Sequence, residues 1–123
     1  SDTSRAALQA ETFDFEIGES TLTDAQLERL GTIAGVAVTM LQQASDANIA
    51  ATIEIVGHAD GLGNARLNAQ LSGERAGNVR AALIDSGVRS NALSTDTEIA
   101  NDSSEDASRR RVEFRVRVRD TTD

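Results

Sequence analysis

The sequence predicts an α+β fold, a two-layer sandwich ordered β-α-β-α-β-β, with a mixed sheet and helices packed on one face. Three observations carry that prediction. Val112, Phe114, Val116 and Val118 alternate with Glu113, Arg115, Arg117 and Arg119, the period of a strand with one buried and one solvated face. Two longer stretches repeat apolar residues at helical spacing. Between them lies Ala51–Val56 (ATIEIV), a short run rich in β-branched residues.

Taken in order, residues 1–7 read as a disordered start, and about 8–119 as the ordered part of one domain spanning 1–123. From Leu8 to Ile17 apolar residues alternate (Leu8, Ala10, then Phe13, Phe15, Ile17), which predicts a half-buried strand ended by Gly18–Ser20. Thr21 or Thr23 can cap a helix reaching about Ala44, with Asp24 in its first turn. Its core stripe is Leu27, Leu30, Ile33 or Ala34, Ala37 and Leu41. After the strand at Ala51–Val56 comes a turn from Gly57 to Asn64 containing three glycines. A second helix covers about Ala65–Ser86, with Leu71, Val79 and Leu83 facing the core and Gly87 as C-terminal cap. Weak strand character returns at Ala92–Ile99, and Ala100–Ser108 is a polar, acidic loop before the last strand. Crossover helices favour parallel pairing, and the last two strands can then join antiparallel.

Composition narrows the function. The net charge of −8 argues against nucleic acid, whose binding needs a basic surface. All twelve basic residues are Arg, and half of them fall between Arg109 and Arg119. With no Cys, disulfides, thiolate metal sites and thiol nucleophiles are excluded. Only three aromatic residues occur, Phe13, Phe15 and Phe114, so the core is aliphatic. No stretch approaches the ~18–20 apolar residues of a membrane helix, and residues 1–10 carry no apolar run of signal-peptide type.

The residues with chemistry gather between Ile55 and Leu83. Asp60 follows a strand end in a glycine-rich loop, a common placement for binding groups. Asn68, Ser72 and Arg75 share one helical stripe, with Asn68 and Arg75 two turns apart. An acid, an amide and a guanidinium converging there suit a zwitterion: Asp60 for an ammonium group, Arg75 for a carboxylate. Spacing alone leaves a second account open. Asp60 caps the helix or pairs with a nearby Arg, and Arg75 is a solvated residue beside Glu74 or Asp85.

The string Ile55-Val56-Gly57-His58-Ala59-Asp60-x-x-Gly63, then Leu67-Asn68-x-x-Leu71-Ser72-x-x-Arg75-Ala76-x-x-Val79-x-x-x-Leu83, resembles the signature of OmpA-like domains. Arg109-Arg110-Arg111-Val112 resembles their closing motif and Phe13-Asp14-Phe15 their opening strand, so the likeness spans about residues 13–119. The resemblance implies non-covalent binding of peptidoglycan through the diaminopimelate of its stem peptide, with no cofactor. It further implies a periplasmic place within a larger membrane-attached protein. Asp60 and Arg75 would clamp the free amino-acid end, with Asn68, Arg110, Ala59, Phe15 and Glu16 around it. The chain departs from the pattern at Ala59 (usually Thr), Arg109 (usually Asn) and Glu16 (often neutral). Those departures keep a runner-up alive, an OmpA-like domain that has lost the ligand and serves as a docking or dimerisation module. A metal enzyme built on His58 and Asp60 lacks a third ligand, since the chain has one His. Ser72, inside a helix, lacks the strained elbow and the second His of a hydrolase.

Overall fold

The structure, a computed structural model, describes residues 2–61, 63–99 and 109–120. The elements are α1 (Asp2–Ala10), β1 (Thr12–Asp14), α2 (Asp24–Asp46), β2 (Ile49–Ala59), α3 (Ala65–Asp85), a 3-10 turn (Ser90–Ala92), β3 (Leu93–Ile99) and β4 (Arg111–Asp120). The four strands form one mixed sheet ordered β1-β4-β2-β3. β2 and β3 run parallel across the α3 crossover, as the helix between them favours. β4 does not pair with β3. It inserts between β1 and β2 and runs antiparallel to both. The central place suits the strand with the strongest alternation, because a central strand buries more of its apolar face than an edge strand.

Register puts the apolar sets of neighbouring strands on one face: Ile53 opposite Val116, Ile55 opposite Phe114, Gly57 opposite Val112. Phe13 meets Phe114 edge-on at 6.1 Å between ring centres. Leu30, Ile33, Ala34, Ala37, Met40 and Leu41 of α2 cover this face, with Ala76, Val79 and Leu83 of α3. Leu27, placed on that stripe by its spacing, is instead exposed. Its turn is held by polar contacts: Thr23 and Gln26 form a reciprocal capping box, and Gln26 Nε2 donates to the Asp14 carbonyl at 2.9 Å.

The chain start differs from the prediction. Residues 2–10 are helical, and the expected strand from Leu8 to Ile17 shrinks to Thr12–Asp14, with Ile17 exposed. A nine-residue helix is marginal alone, so docking must supply its stability. Leu8 is buried in the core. Gln9 accepts the Val116 N–H at 2.9 Å, and Arg5 donates to the Val116 carbonyl at 3.1 Å. α1 thus satisfies the edge of β4 where β1 has ended.

β2 is longer than the ATIEIV run and carries Gly57–Ala59 within the strand, so Gly57 begins no loop. A Cβ on Gly57 would stand 2.0 Å from the Ser72 carbonyl oxygen, so this glycine lets α3 lie directly on the strand. At the far end of α3, Gly87 (φ 107°) bonds back to Ile84 and Val88 to Leu83, the paired closure its position predicts. The polar segment 100–108 lies outside the described residues. Among the described residues no helix is long and apolar enough to cross a membrane.

Candidate functional site

The site forms where the C-terminal end of β2, the start of β4 and the segment between β1 and α2 meet. Arg75 enters from α3. Buried at 1% exposure, it donates to three backbone carbonyls: Nε to Glu19 at 2.8 Å, Nη2 to Glu16 at 3.1 Å and Nη1 to His58 at 3.2 Å. Its guanidinium carbon lies 5.2 Å from the centre of the Phe15 ring. Burial lowers the Arg75 pKa, the neighbouring Arg110 lowers it further, and Asp60 opposes both. The three side chains therefore form one electrostatic cluster.

Arg110, just before β4, pairs with Asp60 (Nη1 to Oδ2, 3.2 Å) and donates from Nε to the Phe15 carbonyl at 3.1 Å. Both partners are mostly buried. One turn along α3, Asn78 donates to the Ser20 carbonyl at 2.9 Å. Side chains from α3 and the β4 start thus hold four carbonyls of the 15–20 segment: Phe15, Glu16, Glu19 and Ser20. A segment without regular structure needs such partners for its backbone.

Beside this cluster opens a cavity of about 780 Å³, large enough for a short peptide end. Phe15 and Arg110 line it, with the exposed acids Asp14, Glu16 and Glu19 and the amide of Gln26. Of the residues singled out in the sequence, Phe15, Glu16 and Arg110 stand on its wall. Asp60 and Arg75 lie behind that wall, joined to it through Arg110 and the backbone of Glu16 and Glu19. Ala59 is buried at the end of β2, and Asn68 is half-buried early on α3; neither lines the cavity. Ser72 is fully buried on the inner face of α3, its hydroxyl donating to the Ala69 carbonyl. Leu71, expected in the core, is only half-buried beside it.

His58 points to a different neighbourhood. Its Nε2 lies 2.9 Å from Glu113 and its Nδ1 3.8 Å from Glu98. Arg115 ties the same two acids together, at 2.7 Å from Glu113 and 2.9 Å from Glu98. Arg117 meets Glu54 at 3.2 Å on the same face. Hydrogen bonding to Arg115 lowers the Glu98 pKa. Burial pushes the Glu113 carboxyl up, but its hydrogen bonds to His58 and Arg115 outweigh that and bring it below the ordinary range. His58, Glu98 and Glu113 bring donor atoms within 4.8 Å of one another, a set of metal-ligand type. Arg115 bridges both carboxylates and Arg111 adds a second positive charge 3.9 Å from Glu113, so the protein's own arginines offset the set. The last strand's Arg face, read from its alternation as solvated, is thus partly an ion-pair network that only strand register brings together.

Sequence reasoning missed the cavity itself and the role of Asn78. The available signal was a stretch, Ile17–Leu22, too short for an element, broken by Gly18 and followed by the helix cap Thr23.

A model of the OmpA family matches residues 14–115. The chain belongs to the OmpA family. Three solved structures share the OmpA-family chain's fold. The peptidoglycan-associated lipoprotein of Burkholderia pseudomallei is 21% identical, with 86% of this chain and 89% of that one covered and a TM-score of 0.69. The C-terminal domain of Helicobacter pylori MotB is 23% identical, with 87% and 84% covered and a TM-score of 0.67. The OmpA-like domain of FopA1 from Francisella tularensis is 18% identical, with 87% and 70% covered and a TM-score of 0.58. No curated protein matches the chain in sequence.

Proposed function

We propose that this OmpA-family domain binds bacterial peptidoglycan non-covalently, through the diaminopimelate of the stem peptide, and anchors a larger envelope protein to the wall. The observation that carries the reading is the buried Asp60–Arg110–Arg75 cluster directly behind an open cavity. The free end of diaminopimelate is a zwitterion, and the cluster holds both complementary charges. Its ammonium group suits Asp60, and its carboxylate suits the guanidinium that Asp60 now holds, so ligand entry exchanges one ion pair for two. Each charge-assisted hydrogen bond contributes about 1.5–3 kcal/mol when sheltered from water. Phe15 supplies the apolar floor. The family assignment and the fold shared with a peptidoglycan-associated lipoprotein support this reading, and a periplasmic location follows from it. Modest affinity per domain suffices, because a polymer of repeated epitopes holds linked copies by effective concentration.

The test is co-sedimentation with insoluble peptidoglycan. Wild-type protein pellets with the wall fraction, and Asp60→Ala and Arg110→Ala variants of unchanged circular dichroism stay in the supernatant. Folded wild-type protein that remains soluble sinks the proposal. One observation favours a second reading, that of a docking or dimerisation module: the protein's own atoms already satisfy Arg75 and pair Asp60. That reading expects no sedimentation and a concentration-dependent dimer in light scattering.

A further inference from the structure

We propose that His58, Glu98 and Glu113 form a binding site for one divalent transition-metal ion of the zinc type, on the sheet face away from the helices. The site is separate from the cavity at Phe15 and Arg110, and the proposal does not depend on the peptidoglycan reading.

The three residues come from three adjacent strands. His58 stands near the end of β2, Glu98 opposite it on β3, and Glu113 near the start of β4. Each offers one donor atom, and the three atoms lie within 4.8 Å of one another. The closest pair is His58 Nε2 and Glu113 Oε1 at 2.9 Å. Two donors at right angles around an ion, each bonded at about 2.1 Å, stand about 3.0 Å apart, so this pair is already at ligand spacing. A ring proton on Nδ1 then faces Glu98 Oε1 at 3.8 Å and leaves the Nε2 lone pair to bind. The imidazole is buried, so packing holds the ring in place, while the exposed side of Glu98 lets water complete the coordination.

The site already seats a positive charge. Arg115 Nη2 lies 2.7 Å from Glu113 Oε1 and 3.1 Å from Glu98 Oε1, the same two oxygens that flank the His58 ring. An ion sharing both carboxylates takes that place. A guanidinium only donates, so it gains nothing from the Nε2 lone pair, whereas a metal ion gains a third ligand. Arg115 can yield its seat. Its side chain is partly exposed, and its Nη1 stands 3.8 Å from Glu54, a carboxylate outside the set. Two carboxylates and a neutral imidazole balance a dication. Imidazole selects ions of the zinc type over calcium and magnesium, which take oxygen ligands. Arg111, 3.9 Å from Glu113, opposes the ion and keeps the affinity modest.

The test is calorimetric titration of the whole chain, stripped with a chelator, with zinc chloride at neutral pH and physiological salt. Wild type takes up one equivalent, and excess magnesium does not displace it. Zinc also moves the NMR ring signals of His58, which are unambiguous because the chain has one His. His58→Gln and Glu98→Gln each weaken binding about tenfold or more. Should His58→Gln fail to fold, Glu98→Gln, at an exposed position, carries the test by itself. Arg115→Met removes the resident competitor and tightens binding about fivefold. Arg117→Met removes the same charge from the same face and leaves the affinity unchanged. No uptake by folded wild type overturns the proposal. So does uptake that survives Glu98→Gln, that magnesium displaces, or that Arg115→Met tightens no more than Arg117→Met.

Discussion

At the scale of single residues, the tightest constraint is Gly57. An alanine methyl group there would meet the Ser72 carbonyl at 2.0 Å, which is backbone and has no rotamer to give. Gly57→Ala should therefore force α3 away from β2 and cost about 3 kcal/mol or more. A melting temperature within a degree or two of wild type would show that the helix does not sit so close. Arg75 is the second constraint. Replacing it with Met keeps a long side chain but removes three hydrogen bonds to backbone carbonyls, of which the Glu16 carbonyl keeps the Glu19 N–H at 3.0 Å, a loss of about 2–4 kcal/mol in urea unfolding. Both residues were conspicuous in the sequence, Gly57 as the opening of a glycine-rich turn and Arg75 as a carboxylate partner or a solvated helix residue. Their inward orientation was illegible because the phase of α3 against the sheet depends on contacts between segments far apart in the chain.

At the scale of elements, α1 performs a task usually given to a strand. β1 pairs only with residues 111–113, and the next stretch of β4 finds its partners in the side chains of Gln9 and Arg5. Deleting residues 1–10 should expose that edge together with the pocket vacated by Leu8, lower the melting temperature and promote self-association in light scattering. An unchanged, monomeric truncated protein would reduce α1 to an ornament. The period-two run from Leu8 to Ile17 pointed to a strand, yet its first two members lie in α1, where Leu8 is buried and Ala10 exposed. Only the docking surface on α2 and β4 separates strand from helix there. The helices α2 and α3, in contrast, were legible to within a few residues, since long periodic segments with caps at Thr23 and Gly87 state their own limits.

At the scale of the whole molecule, charge is distributed by sheet face. The face away from the helices carries Glu54, His58, Glu98 and Glu113 against Arg115 and Arg117, linking β3, β2 and β4. Glu98 and Glu113 hold pKa values below their ordinary range in the folded chain. A carboxyl depressed on folding contributes stability that is fully present above its unfolded pKa and lost as pH falls through its folded one. The network should therefore weaken below about pH 4, the ordinary carboxylate range. Glu113→Gln should lower stability at neutral pH and flatten the acid limb of a plot of melting temperature against pH. Parallel curves for the two proteins would remove the network from the stability of the fold.

By itself the sequence determined the class of fold, the two long helices, the strand cores and the family, because period, caps and motif spacing are local properties written in consecutive residues. Tertiary structure decided what those properties leave free: that β4 lies between β1 and β2, that residues 2–10 dock as a helix, and that Arg110 rather than Arg75 stands on the cavity wall. Each of these outcomes depends on which distant surfaces compete for the same apolar area and the same carbonyl oxygens. That competition is settled only when the whole chain packs.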